Sequence, residues 1–139
     1  MFPNSDPLEK SMSYYLSRII NAAFDEVVQR VTEALKEEGF GVLTDIDVQA
    51  TLKTKLGADM PSYRILGACN PSFAHQALQV EDKLGVLLPC NVIVRDAGDG
   101  QTEVAAIDPV TSMDRTGNPK LAAVADEVRV RLLRAVEHV

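Results

Sequence analysis

Tryptophan is absent from this sequence, and only two cysteines and two histidines occur among its 139 residues. Two cysteines cannot form the multiple bridges of a small disulfide-rich protein. His75 and His138 alone are too few for a multi-histidine metal site within one chain. The longest apolar run, 86–90, is far shorter than the ~20 residues that cross a bilayer. The sequence therefore predicts no metal, no cofactor and no membrane span.

Basic residues are also in deficit, because 14 Lys and Arg stand against 20 Asp and Glu, for a formal net charge of −6. Nucleic-acid binding depends on clustered positive charge, which this composition does not provide. Aromatic residues make up 5% of the chain, too few to interleave with basic residues as stacking platforms. The first residues lack the basic and apolar regions of a secretory signal. We therefore predict a cytoplasmic protein that does not bind nucleic acid.

Motifs that carry catalysis or bind phosphate are missing as well. The sequence contains no Gly-rich phosphate loop, no Gly-x-Ser-x-Gly elbow, no His-Glu-x-x-His and no Cys-x-x-Cys. Asp45 and Asp47 lie on the polar side of a predicted strand, where solvated carboxylates are expected. This pattern favours a protein that is not an enzyme.

The sequence does contain what one globular domain needs. Hydrophobic residues make up 46% and charged residues 24% of the chain, which are ordinary values. A chain of this length buries roughly two-thirds of its unfolded surface without a metal or disulfide. Residues 1–11, with Pro3, Pro7 and no periodic pattern, are predicted to form an irregular extension. Residues 12–139 are predicted to form a single domain.

Hydrophobic periodicity predicts the elements of the first half. A strand at 14–20 is followed by a helix with Asn21 as its N-cap and an apolar stripe from Phe24 to Leu35. Gly39 and Phe40 predict a Schellman-type end to that helix. Alternation over 42–48 predicts a strand with one buried face, and 50–56 a short helix.

The second half begins with a predicted strand at 63–69, and two Asn-Pro pairs then mark helix starts, at Asn70 and Asn118. Between these helices, strands at 84–94 and 102–107 are joined by a hairpin around Asp99. The order β-α-β-α-β-α-β-β-α predicts an α+β domain with a mostly antiparallel sheet and two long helices on one face. The other face would be partly open, as binding surfaces often are.

The segment Cys69-Asn70-Pro71 is the first candidate site. It places a thiol at the end of a strand and directly before a helix N-terminus, where partial positive charge lowers a thiol pKa. The same position could hold an anionic ligand, with Arg64 as a counter-charge. The alternative is a small buried cysteine in a tight strand-to-helix junction, which is the more common role of a free cysteine.

A second Cys-Asn pair follows Pro89, at Cys90 and Asn91. If the two strands were neighbours, Cys69 and Cys90 could form a redox pair or part of a metal site. Two thiolates are too few for a closed zinc site. Structural packing is the alternative for these residues too.

The chain resembles the family of small bacterial and archaeal proteins called domain of unknown function 302, DUF302. The resemblance runs from about residue 13 to the last helix. It rests on the segments 40–43, 63–71 and 87–92 and on Ala74, Ala77 and Leu78, above all on Ala-Cys-Asn-Pro and Leu-Pro-Cys-Asn. It implies an α+β fold with a curved antiparallel sheet, and pairing as a homodimer. It implies no activity, substrate or catalytic residue.

These observations lead to a non-enzymatic small-ligand-binding or interaction module that acts as a homo-oligomer. Its expected ligand is small and anionic, held by Arg64, Cys69, Asn70, Cys90 and Asn91. The alternative is a thiol-dependent redox or soft-metal-binding protein that uses the two cysteines. A third possibility is structural dimerisation without a ligand.

Overall fold

The computed structural model describes residues 13–139, so the predicted extension at 1–11 lies outside the described residues. Within that range lie five strands and five α-helices. The strands are β1 (Tyr15–Ile20), β2 (Gly41–Asp47), β3 (Tyr63–Cys69), β4 (Cys90–Gly98) and β5 (Gln101–Ile107). The helices are α1 (Phe24–Glu37), α2 (Val48–Leu56), α3 (Pro71–Val80), α4 (Pro109–Asp114) and α5 (Ala122–Glu137), with 3₁₀ turns at Leu84–Leu87 and Pro119–Leu121.

The five strands form one antiparallel sheet in the order β1-β5-β4-β3-β2. β4 and β5 form the predicted hairpin, and β1 returns to pair with β5 at one edge. β2 lies at the opposite edge. The protein therefore has the predicted α+β fold with an antiparallel sheet.

The main hydrophobic core lies between the sheet and the two long helices, α1 and α5. It joins Val27 and Val31 of α1 with Val128 and Leu132 of α5 and with the alternate strand residues that point the same way. Those strand residues include Leu16, Leu66, Val92, Val94, Val104 and Ala106. Because side chains alternate across a strand, the remaining strand residues point to the other side of the sheet.

Helix α1 ends as the sequence predicts. The N–H of Gly39 donates to Lys36 O (3.0 Å), and the N–H of Phe40 donates to Leu35 O (2.9 Å), which is the Schellman pair. Gly39 has φ +89°, a conformation that favours glycine. The predicted N-cap was wrong: Ala23 holds that position, and Asn21 accepts a hydrogen bond from Gln101 of β5 instead.

Helix α5 follows the predicted Asn118-Pro119 pair, but its start differs in one respect. Asn118 does cap the chain there, because its side chain accepts from the N–H of Lys120 (3.0 Å). The first turn is 3₁₀, and the α-helix proper begins at Ala122. Val128 and Leu132 lie in the main core and are buried.

Three elements differ from their predictions. The residues at 84–94 do not form one strand, because Leu84–Leu87 is a 3₁₀ turn and β4 starts only after the cis Leu88–Pro89 bond. β2 has no buried residue in the described part of the chain, and its pairing with β3 shifts register between Val42 and Thr44, which interrupts the predicted alternation. α4 was not predicted, and Asp108, which accepts from the N–H of Val110 (3.0 Å), caps its start.

A smaller hydrophobic cluster fills the end of the molecule beside α3 and α4. It contains Ala77, Leu84, Met113, Leu121 and Ala125, all buried. This cluster holds α3 against α4 and the start of α5. It thereby fixes the helix that follows Cys69.

Candidate functional site

The end of β3 and the start of β4 meet at a crevice below α3. Cys69 is the last residue of β3, and Cys90 is the first residue of β4. In the β3–β4 register Ala68 is the partner of Cys90, so Cys69 and Cys90 belong to neighbouring positions. Cys69, Asn70 and Cys90 all line the crevice, together with Phe73, Ala74, Leu88, Pro89 and Met113 among others.

The volume of this crevice is about 30 Å³. A cavity of that size accommodates one or two water-sized particles, whereas sites for organic ligands begin at roughly 300 Å³. The lining is almost entirely apolar, since Phe40, Leu88 and Val128 contribute to it. The crevice therefore does not favour an organic anion.

The two cysteines differ in their surroundings, although both are free thiols. Cys90 is buried, and Cys69 is partly exposed. Burial raises the pKa of the Cys90 thiol to about 11, and the nearby Cys69 adds a smaller increase. Cys90 is therefore protonated at neutral pH, which disfavours a role as a nucleophile.

Helix α3 begins next to these thiols. Asn70 is its N-cap residue and Pro71 occupies the first turn, as predicted, but within residues 13–139 the Asn70 side chain makes no capping hydrogen bond. It lies instead over Gly39, with Nδ2 2.9 Å from the position that a Cβ would take there. The first helical bond runs from Ala74 N to Asn70 O (2.9 Å). The positive end of the helix dipole therefore points toward Cys69.

Phe73 of α3 lines the crevice, and Arg131 of α5 contacts its ring. The Arg131 guanidinium carbon lies 5.2 Å from the centroid of the Phe73 ring, a cation–π contact. Arg131 Nη1 also donates to Glu38 O at the end of α1 (3.4 Å). His75, one turn further along α3, is exposed and its Nε2 lies 3.4 Å from Nε2 of Gln79.

Arg64, predicted as the counter-charge of the same site, lies near the opposite end of β3. It donates two hydrogen bonds to Asp45 of β2, at 2.8 and 2.7 Å, in a bidentate pair. This hydrogen bonding lowers the pKa of Asp45 and raises that of Arg64. Arg64 thus already has a partner, and Asp45 is more than a solvated carboxylate.

Asn91, also predicted for the site, lies on the side of the sheet that faces away from α1 and α5. It lines a groove of about 400 Å³ with Tyr14, Tyr15, Tyr63 and neighbouring residues. Cys69, Asn70 and Cys90 thus line the crevice, whereas Arg64 and Asn91 are not among its lining residues. Sequence reasoning missed Met113, because it comes from α4, a later element that only the fold brings to the crevice.

No group of three or more His, Cys, Asp and Glu side chains suited to a metal occurs in residues 13–139. Nor does that part of the chain contain a helix that is long and apolar enough to cross a membrane.

Comparison with known proteins shows which family the fold resembles. A crystal structure of an uncharacterized conserved DUF302 protein from Bacillus stearothermophilus is 28% identical and superimposes with a TM-score of 0.83. The match covers 90% of this chain and 97% of that one. No curated protein matches the chain. The family model of DUF302, a domain of unknown function, matches residues 16–139, and the chain therefore belongs to the DUF302 family.

Proposed function

We propose that this protein is a non-enzymatic interaction module that pairs with a second copy of itself through the open face of its sheet. The observation that carries the proposal is the apolar character of that face. Ile46, Ile65, Ile93, Ala105 and Ser17 are successive partners across all five strands. Four of these five side chains are apolar, although α1 and α5 lie on the other side.

The neighbouring positions extend this apolar row. Ile19 is 40% exposed and Tyr15 is 42% exposed, and Ile46 of the row itself is 47% exposed. Monomers rarely expose contiguous apolar surface of this kind unless it contacts something. The groove of about 400 Å³ lined by Tyr14, Tyr15 and Tyr63 gives the face a concave part that a partner side chain can fill.

The size and charge of the face also suit self-association. Five strands about 4.8 Å apart and about six residues long cover roughly 500 Å². Two such faces bury roughly 1,000 Å² in total, the lower limit for a specific interface. The two charged side chains on these rows, Arg95 and Glu103, pair with each other at 2.6 Å. The face therefore causes little like-charge repulsion when it meets its own copy. A two-fold interface needs such a self-complementary surface.

The crevice gives less support to the ligand part of the prediction. Its volume of about 30 Å³ and its apolar lining disfavour a small organic anion. The protonated Cys90 thiol disfavours nucleophilic catalysis at this crevice. Both free thiols support a reducing compartment, so the proposal includes a cytoplasmic location.

Sedimentation equilibrium tests the proposal on the full chain. Ile19→Asp introduces a charge on the open face, and we expect it to convert a wild-type dimer to a monomer at the same concentration. Val130→Asp is the matched control, because Val130 is 42% exposed on α5 and faces away from the sheet surface in question. A monomeric wild type at all concentrations, or equal effects of the two variants, would contradict the proposal.

A further inference from the structure

All three tyrosines of the chain line one groove on the open face of the sheet. Tyr15 is the first residue of β1 and follows Tyr14, whereas Tyr63 is the first residue of β3, with β5 and β4 in between. The rings of Tyr14 and Tyr15 meet at an angle of 75°, with centroids 5.0 Å apart. Tyr14 is 72% exposed, so its ring does not serve the core and is accessible to a ligand.

The shape of the groove depends on a small residue, Ala105 of β5. Its partners in the neighbouring strands are Ile93 of β4 and Ser17 of β1. Ile93, Ala105 and Ile107 give the groove apolar walls. Its volume of about 400 Å³ falls in the range of sites for organic ligands, roughly 300–1,000 Å³. A small organic molecule therefore fits here, in contrast to the crevice beside α3.

The charge of the groove favours a cation. Glu103 is the only charged residue among those that line the groove in the described part of the chain. Arg95 donates to Oε1 of Glu103 (2.6 Å), and no other donor of residues 13–139 bonds to this carboxylate. A cation is attracted by the carboxylate and by the negative faces of the tyrosine rings, and both repel an anion.

We propose that this groove binds a small organic cation, in which a methylated ammonium group is attached to an apolar body. Tyrosine rings attract such ammonium groups through cation–π contacts, and a fully methylated group needs no hydrogen-bond partner. The apolar body packs against Ile93, Ala105 and Ile107. One chain forms the whole groove, so the site does not rest on the proposed pairing, although a second copy on the open face would cover it.

Isothermal titration calorimetry of the full chain tests the proposal. The cationic probe is benzyltrimethylammonium, and its controls are the neutral benzyl alcohol and the anionic benzylsulfonate. We expect one cation per chain, bound at least about tenfold more tightly than benzyl alcohol, and no saturable binding of benzylsulfonate. Because the chain has no tryptophan and its tyrosines all line the groove, tyrosine fluorescence should change with the same affinity.

Two variants test the groups that attract the cation. Tyr15→Leu removes a ring but stays apolar, and Glu103→Gln removes the charge. Each should weaken binding of benzyltrimethylammonium at least about threefold and leave that of benzyl alcohol unchanged. Glu33→Gln is the control for Glu103→Gln, because Glu33 is exposed on α1, outside the groove. Circular dichroism checks the fold, and if Tyr15→Leu does not fold, Glu103→Gln carries the test.

Ile46→Asp separates this site from the pairing. It places a charge on the open face at the β2 edge of the sheet, outside the groove, and should bind the cation at least as tightly as the wild type. The site is overturned if neither protein binds the cation, if benzylsulfonate binds equally well, or if Tyr15→Leu and Glu103→Gln keep the wild-type affinity. A monomeric wild type that binds the cation would contradict the pairing alone.

Discussion

Gly67 shows how closely the strands approach at the centre of β3. A Cβ at this position would overlap Oγ1 of Thr44, the facing residue of β2, and would lie 2.8 Å from Cγ of Pro89. Both neighbours are held in place, one by the strand pairing and the other by the start of β4. The fold therefore depends on the absence of a side chain at residue 67.

Gly67→Ala should lower the free energy of unfolding by about 1–3 kcal/mol, the usual cost of an extra methyl group in a packed site. Urea unfolding measures this change. Gly41→Ala is the matched control, because Gly41 is also a strand residue but has no atom of the described chain within 4 Å of its Cβ position. Equal stabilities of the two variants would show that the contacts of Gly67 are not restrictive.

The raised pKa of Cys90 predicts how the free energy of unfolding depends on alkaline pH. Its pKa is raised to about 11 in the folded protein, whereas an unfolded cysteine titrates near about 8.5. The unfolded state therefore loses its proton first as the pH rises. The stabilisation that the protonated Cys90 thiol contributes to the folded state is complete below about pH 8.5. It is lost progressively toward pH 11.

Between pH 8 and pH 10 the wild type should lose about 2 kcal/mol more stability than Cys90→Ala, which has no thiol to titrate at this position. Urea unfolding of both proteins at several pH values gives the difference, in which the titrations of Lys and Tyr cancel. Parallel pH dependences would contradict the raised pKa.

At the scale of single elements, the end of α5 is fixed by an arginine from β1. Arg18 Nη1 donates to Glu137 O at 2.6 Å and lies 3.3 Å from the O atoms of Val136 and Val139. Arg30 of α1 adds a bond to Val139 O at 3.2 Å. A cation at a helix C-terminus satisfies free carbonyl groups and opposes the helix dipole.

Arg18→Ala should destabilise the protein by about 1–2 kcal/mol and speed amide hydrogen exchange in the last turn of α5. Exchange in the middle of α1 should change only by the global loss of stability. Arg115→Ala, at an exposed position after α4, is the control and should leave the last turn unchanged. Unaltered exchange in Arg18→Ala would show that packing alone holds the helix end.

At the scale of the whole molecule, the proposed pairing makes thermal stability depend on protein concentration. Ligands and partners that bind only the folded state raise its stability by mass action. A tenfold increase in concentration should raise the Tm of the wild type by about 3 °C. Scanning calorimetry over a wide range of concentrations measures this shift.

The Ile19→Asp variant provides the comparison for that experiment. Its Tm should not depend on concentration, because the charge prevents the open faces from meeting. A concentration-independent Tm in the wild type would argue against the pairing.

The sequence by itself determined the local features of this protein. The end of α1 at Gly39, the start of α3 at Asn70 and the β4–β5 hairpin were all predicted, because each depends on residues within a few positions of one another. The α+β class followed from their order. Patterns of this kind reflect the local backbone preference of each segment and show which side of an element is apolar.

Only the tertiary structure decided which of these elements are neighbours. It placed β2 at an edge, with a register shift that interrupts its alternation, and it paired β1 with the distant β5. It paired Arg64 with Asp45 of β2 and brought Met113 of α4 to the crevice that Cys69 and Cys90 line. Strand order and packing arise from contacts between residues far apart in the chain, which the local pattern of a single sequence does not encode.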